Sequence, residues 1–83
     1  MGKYKIEVKA SAIKELYLLP KKDLKKIAAR IGSLSDNPRP KDCIKLAGDE
    51  RHRIRQGDYR IVYSIENDAL VVYVVTIGHR KDA

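Results

Sequence analysis

An α+β fold is predicted for these 83 residues: an N-terminal strand and a helical hairpin packed on one face of a mainly antiparallel sheet. Three observations predict it. A short alternating segment opens the chain, two stretches with helical spacing follow, and from residue 44 onward the apolar residues alternate or run together as β-branched types. The length allows one small core, so residues 1–83 are taken as a single domain.

The elements follow in order. Tyr4-Lys5-Ile6-Glu7-Val8 alternates apolar and polar residues, the pattern of a half-buried strand. Ser11 is the expected helix N-cap, and Ala12, Ile13, Leu16 and Leu19 fall on one face of the helix behind it. Pro20 interrupts and is expected in the first turn of a second helix. Leu24, Ile27, Ala28, Ile31 and Leu34 form the inward stripe of that helix, with Lys21, Lys22, Lys25, Lys26 and Arg30 outside. Two prolines in Ser35-Asp36-Asn37-Pro38-Arg39-Pro40 end it.

The period then changes. Ile44 and Leu46, with a Gly48-Asp49 turn, predict a short strand. Arg51-His52-Arg53-Ile54-Arg55 alternates strictly and predicts a strand with three arginines on one face. Gln56-Gly57-Asp58 is expected as a three-residue hairpin loop, and Tyr59–Ile65 as the returning strand. After a turn at Glu66-Asn67-Asp68, the run from Ala69 to Ile77 is apolar on both faces and predicts a central strand covered on both sides. Gly78 to Ala83 is expected to leave the sheet as a polar tail.

Composition excludes several classes. The longest apolar run is far shorter than the ~20 residues of a membrane-spanning helix, and the first ten residues hold no stretch suited to a signal peptide. Cys43 is the single cysteine, so neither an internal disulfide nor a cysteine zinc cluster is expected, and a cytoplasmic protein without metal or cofactor is. No Gly-rich phosphate loop, HExxH, GxSxG or CxxC occurs.

The net charge of +7 points to a polyanion or an acidic protein as partner. Residues 1–35 carry nine basic and three acidic residues, almost all the bases being lysine; residues 36–83 carry nine and eight, and the bases are mostly arginine. Lysine is a hydrated point charge, whereas arginine is a planar fork that grips phosphate or carboxylate at two points. The directed contacts are therefore expected from Arg51, Arg53, Arg55, Arg60 and Arg80. The plainer reading is a solvated strand face, but like charges on one face repel, and a protein tolerates that more readily where an anion will sit. Such a cluster suits the pentavalent phosphorane formed when an RNA 2′-hydroxyl attacks its own phosphodiester. His52, between two arginines, is expected to point to the other face, either in a structural role or exposed, and Cys43 to be a small buried residue.

Lys45-Leu46-Ala47-Gly48, Arg51-His52-Arg53-Ile54-Arg55, Gly57-Asp58-Tyr59-Arg60-Ile61-Val62-Tyr63 and the valine-rich strand ending Ile77-Gly78-His79-Arg80 resemble the RelE/ParE family of bacterial and archaeal toxins. The likeness covers nearly the whole chain. It implies a RelE-like fold and, in the RelE branch, a ribosome-dependent endoribonuclease that cleaves mRNA in the ribosomal A site and inhibits translation. Arg51 and Arg53 fall where the family often has lysines, Arg60 matches the arginine of the YR pair held to stabilise the scissile phosphate, and Arg80 matches the arginine after the last strand. A guanidinium with a pKa of ~12.5 or more is a poor proton carrier, so Arg51 and Arg53 would act as electrostatic clamps and His79 is the candidate general base. Lys45, Arg55 and Lys81 complete the expected substrate contacts. The family's tyrosine shortly after the last arginine has no counterpart before Ala83, which keeps a catalytically impaired, antitoxin-binding homologue among the alternatives beside a ParE-like gyrase inhibitor. The partner implied is a cognate acidic, RelB-like antitoxin whose partly disordered segment covers the basic face.

Overall fold

A computed structural model describes residues 3–46 and 51–79. The elements run β1 (Lys5–Val8), α1 (Ala10–Tyr17), α2 (Lys21–Ser33), β2 (Ile44–Lys45), β3 (Arg51–Gln56), β4 (Tyr59–Glu66) and β5 (Val71–His79). The five strands form one sheet in the order β1-β5-β4-β3-β2. β1 lies parallel to β5 and every other pair is antiparallel, so the sheet is mixed but mainly antiparallel, as expected. No helix among the described residues is long and apolar enough to cross a membrane.

Both helices cover the same sheet face. Ile54, Ile61, Tyr63, Ile65, Val72, Val74 and Ile77 point there and meet Ala12 of α1 and Ile27, Ile31 and Leu34 at the α2 side. The small Ala12 is fully buried, which lets α1 approach the sheet closely. Leu16 and Leu19 continue its inward line, but Ile13 lies about 100° around the helix and is 39% exposed, contrary to its expected place in the stripe. Ala28 is displaced from the stripe of α2 in the same way and is exposed.

Several boundaries differ from the sequence reading for local reasons. α1 begins one residue after Lys9, not behind Ser11. Lys9 still donates its N–H to the Val74 carbonyl at 2.8 Å while its own carbonyl accepts from Ile13 at 3.0 Å, so the sheet ladder hands over directly to the helix. Pro20 is the N-cap of α2 rather than a member of its first turn; its φ of −55° suits that place and its carbonyl accepts from Leu24. Arg30 is not on an outer face: it is half-buried and ion-paired with Asp42, which ties α2 to the segment leading into β2.

The β3–β4 hairpin closes through two residues, Gly57 and Asp58, because Gln56 and Tyr59 are already paired. Gly57 has φ +61° at the first central position, the place where a II′ turn requires glycine. Ala69 and Leu70 belong to the turn before β5, with Leu70 at φ 53°. β5 is interior by pairing but covered by helices on one face only, and it continues through Gly78 and His79. The turn expected at Gly48-Asp49 lies outside the described residues.

Candidate functional site

Alternation on β3 settles which side chains share a face. His52 and Ile54 are buried on the helix side, so Arg51, Arg53 and Arg55 project from the opposite, open side. On β4 the buried residues are Ile61, Tyr63 and Ile65, which puts Arg60, Val62 and Ser64 on the open side as well. The register then joins the two strands. Arg55 stands opposite Arg60, Arg53 opposite Val62, and Arg51 opposite Ser64. Directly opposed residues have Cβ atoms about 4.5–5.5 Å apart, and arginines two apart on β3 are about 7 Å apart, so four guanidinium groups gather on one patch.

Arg53 sits at its centre. Its cross-strand neighbours are Ile44 on β2 and Val62 on β4, two β-branched apolar residues that flank its stem. Its Nε is shielded from solvent and has no hydrogen-bond acceptor among the described residues. An unmade hydrogen bond on a charged donor costs about 1–3 kcal/mol or more, and a phosphate oxygen would supply the acceptor. The opposition of Arg55 and Arg60 is unfavourable by itself, and a bound anion would offset it.

β5 completes the face through a bulge. The register shifts between Val62 and Tyr63, leaving Val75 as the extra residue of β5. Before the bulge, Val72 and Val74 point to the core and Tyr73 to the open side; after it, Ile77 points to the core while Thr76 and Gly78 fall opposite Val62 and Arg60. The Ile77 N–H donates to Glu15 Oε1 on α1 at 3.5 Å, a long bond that gives the irregular strand a helix-side partner. A Cβ added at Gly78 would meet nothing within 4 Å, so the space beside Arg60 is open. The run from Val71 to Ile77 is apolar on both sides in sequence, yet only its helix-side face is covered.

The predicted site residues divide into three groups. Arg51, Arg53, Arg55 and Arg60 are brought together. Lys45 is not with them: it pairs with His52 and therefore stands on the helix-side face, an exposed residue at the sheet margin. The backbone of His79 pairs with that of Tyr59, its side chain is not described, and Arg80 and Lys81 lie outside the described residues.

His52 is on the other face, as expected, and of its two expected places it takes the structural one, buried and stacked on Tyr63 with ring centroids 5.7 Å apart. The Tyr63 hydroxyl donates to the Pro38 carbonyl at 2.6 Å and lies 3.3 Å from the Cys43 sulfur, which is half-buried rather than enclosed. Burial first, and the Cys43 contact second, push the Tyr63 phenol well above its ordinary pKa. Tyr59 donates to Asp23 Oδ2 at 3.0 Å, and its phenol is raised by desolvation and then by that bond.

A separate concavity lies away from the arginines. A cavity of about 330 Å³ opens between α2 and the hairpin, lined by Asp23, Lys26, Asp58 and Tyr59 among others. It mixes both signs of charge, and its tyrosine is already bonded to Asp23, so the arginine face is the better anion site. No group of three or more His, Cys, Asp or Glu residues among the described ones is placed to hold a metal ion.

Comparisons with known proteins agree with this fold. Residues 6–83 match the family model of the ParE toxin of type II toxin–antitoxin systems. The chain is 34% identical to the candidate toxin RelE1 of Methanocaldococcus jannaschii, over 98% of this chain and 94% of that one. It superposes on the toxin fold in the crystal structure of the archaeal RelE–RelB complex from Pyrococcus horikoshii with a TM-score of 0.86 and 29% identity, covering 98% of this chain and 99% of that one. The RelBE2 complex of Mycobacterium tuberculosis shares the fold at a TM-score of 0.80 and 24% identity, over 96% of this chain and 94% of that one.

Proposed function

The chain belongs to the RelE/ParE family of type II toxin–antitoxin toxins, and from that premise we propose that it is an endoribonuclease that cleaves mRNA in the ribosomal A site. The observation that carries this is the gathering of Arg51, Arg53, Arg55 and Arg60 on the uncovered side of the sheet. The 2′-oxygen of the ribose bonds to the adjacent phosphorus while the bond to the 5′-oxygen breaks, and the departing 5′-oxygen takes a proton from solvent, leaving a 2′,3′-cyclic phosphate and a 5′-hydroxyl. Arg60 and Arg53 hold the phosphoryl oxygens and stabilise the dianionic transition state, while Arg51 and Arg55 fix the neighbouring backbone. His79 takes the 2′-proton, Arg80 adds charge at the phosphate, and Lys81 binds the strand beyond it. The residues assigned to these steps require no metal or cofactor.

The partner is an acidic, RelB-like antitoxin in the same cytoplasm. The net charge of +7 and the basic open face favour it, and the relatives solved as RelE–RelB complexes support it.

The test is cleavage mapping on ribosomes programmed with defined messages. Cuts confined to the A-site codon, lost with Arg60→Ala and weakened with Arg53→Ala, are expected. The matching family model is that of the ParE toxin, so a gyrase-directed inhibitor is the second reading. Intact messages together with gyrase-dependent DNA damage would decide for it.

A further inference from the structure

The open face has a second chemical zone beside the arginines. Across the sheet, Glu7, Tyr73, Ser64 and Arg51 stand in one register row. Tyr73 is half-buried, with the exposed Glu7 on one side and Ser64 on the other. The tyrosines nearer the helix side have committed hydroxyls: Tyr4 donates to Asn67, Tyr59 to Asp23 and Tyr63 to Pro38. No hydrogen bond within the described residues engages the hydroxyl of Tyr73 or that of Ser64. The Tyr73 ring and hydroxyl are therefore available on the open side to a group outside the chain. Tyr73 is also the one tyrosine that the register places on the arginine face, and the chain holds neither Trp nor Phe. Strands lie about 4.8 Å apart, so Tyr73 stands roughly 10 Å from Arg51 across the row.

Resting on the nuclease reading above, we propose that Glu7, Tyr73 and Ser64 form a nucleobase subsite that selects the base next to the arginine-held phosphate. The Tyr73 ring is the stacking platform, which any base accepts. The Glu7 carboxylate supplies the discrimination. It accepts from an exocyclic amino group, present on cytosine, adenine and guanine, and repels the carbonyl oxygens that occupy the corresponding positions of uracil. Glu7 also turns the phosphate path away from the β1 edge, because the anionic backbone is repelled there and attracted at β3 and β4. Ser64 bridges the two zones and can donate or accept toward base or ribose.

The experiment is equilibrium binding of the purified chain to a series of 2′-O-methylated trinucleotides that differ in one base, alongside codon profiling on programmed ribosomes. Wild type is expected to bind the amino-bearing bases more tightly than uracil. Tyr73→Ala weakens binding to all four by about 5- to 100-fold, and Tyr73→Phe retains most of the affinity, which separates stacking from misfolding. Glu7→Gln loses the discrimination against uracil without losing affinity for it. Equal affinity for all four bases in wild type, a Tyr73→Ala variant that binds as wild type does, or no binding at all overturns the subsite. Selective binding with no cut on any ribosome overturns the nuclease reading and leaves the subsite standing.

Discussion

The two faces of the sheet are made by alternate residues of the same strands, yet they solve opposite problems. On the helix side Tyr63 bonds to Pro38 and stacks on His52, and Tyr59 bonds to Asp23, although Arg30 Nε lacks an acceptor among the described residues there too. On the open side, Arg55 is set against Arg60, and among the described residues neither Arg53 Nε nor the Tyr73 hydroxyl has a hydrogen-bond partner. One face forms the core, and the other is the proposed ligand face. Adjacent positions on one strand should therefore respond to mutation in different measurements.

Arg60 and Ile61 test that most sharply. Arg60→Ala is expected to lower message cleavage by about 100- to 1,000-fold, the usual loss of a transition-state donor, with the urea midpoint nearly unchanged. A comparable fall in stability would mean that Arg60 belongs to the scaffold. Its neighbour Ile61 is fully buried, and Ile61→Ala should cost about 2–5 kcal/mol in urea unfolding, a large share of the total for so small a domain.

Tyr63→Phe sharpens the comparison at intermediate size. It should cost about 1–3 kcal/mol by leaving the Pro38 carbonyl without its donor. It should also change the alkaline limit. The phenols of Tyr63 and Tyr59 are raised in the folded state, so their contribution to stability is complete below the unfolded phenol pKa of about 10. That contribution is lost as pH rises through the higher folded values. Unfolding monitored from pH 9 upward should show a loss of stability that Tyr63→Phe flattens.

Lys45 gives the smallest expected effect and the cleanest control. It stands on the helix-side face, so Lys45→Ala should alter RNA binding by less than about twofold, the size of a distant screened charge. A loss as large as that of Arg53→Ala would mean that the substrate reaches around the sheet margin.

Much of this molecule is legible in its sequence because periodicity reports which side of an element meets water. The alternation of Arg51 to Arg55 is enough to separate three arginines from His52 and Ile54, and Leu24, Ile27, Ile31 and Leu34 are enough to orient α2. Family membership was legible too, since the Tyr59-Arg60 and Gly78-His79 segments carry it. Pairing was not. Nothing local to Arg60 says that it faces Arg55, or that Lys45 falls on the wrong side of the sheet to join them. The bulge at Val75 hides the faces of Thr76 and Ile77 from a period-two count, because one inserted residue reverses the faces of everything after it. Local propensity and hydrophobic patterning are properties of neighbours along the chain, and the sequence determines them alone. Register, bulges and the meeting of residues from different strands depend on hydrogen bonds between distant segments, and these exist only once the sheet has closed.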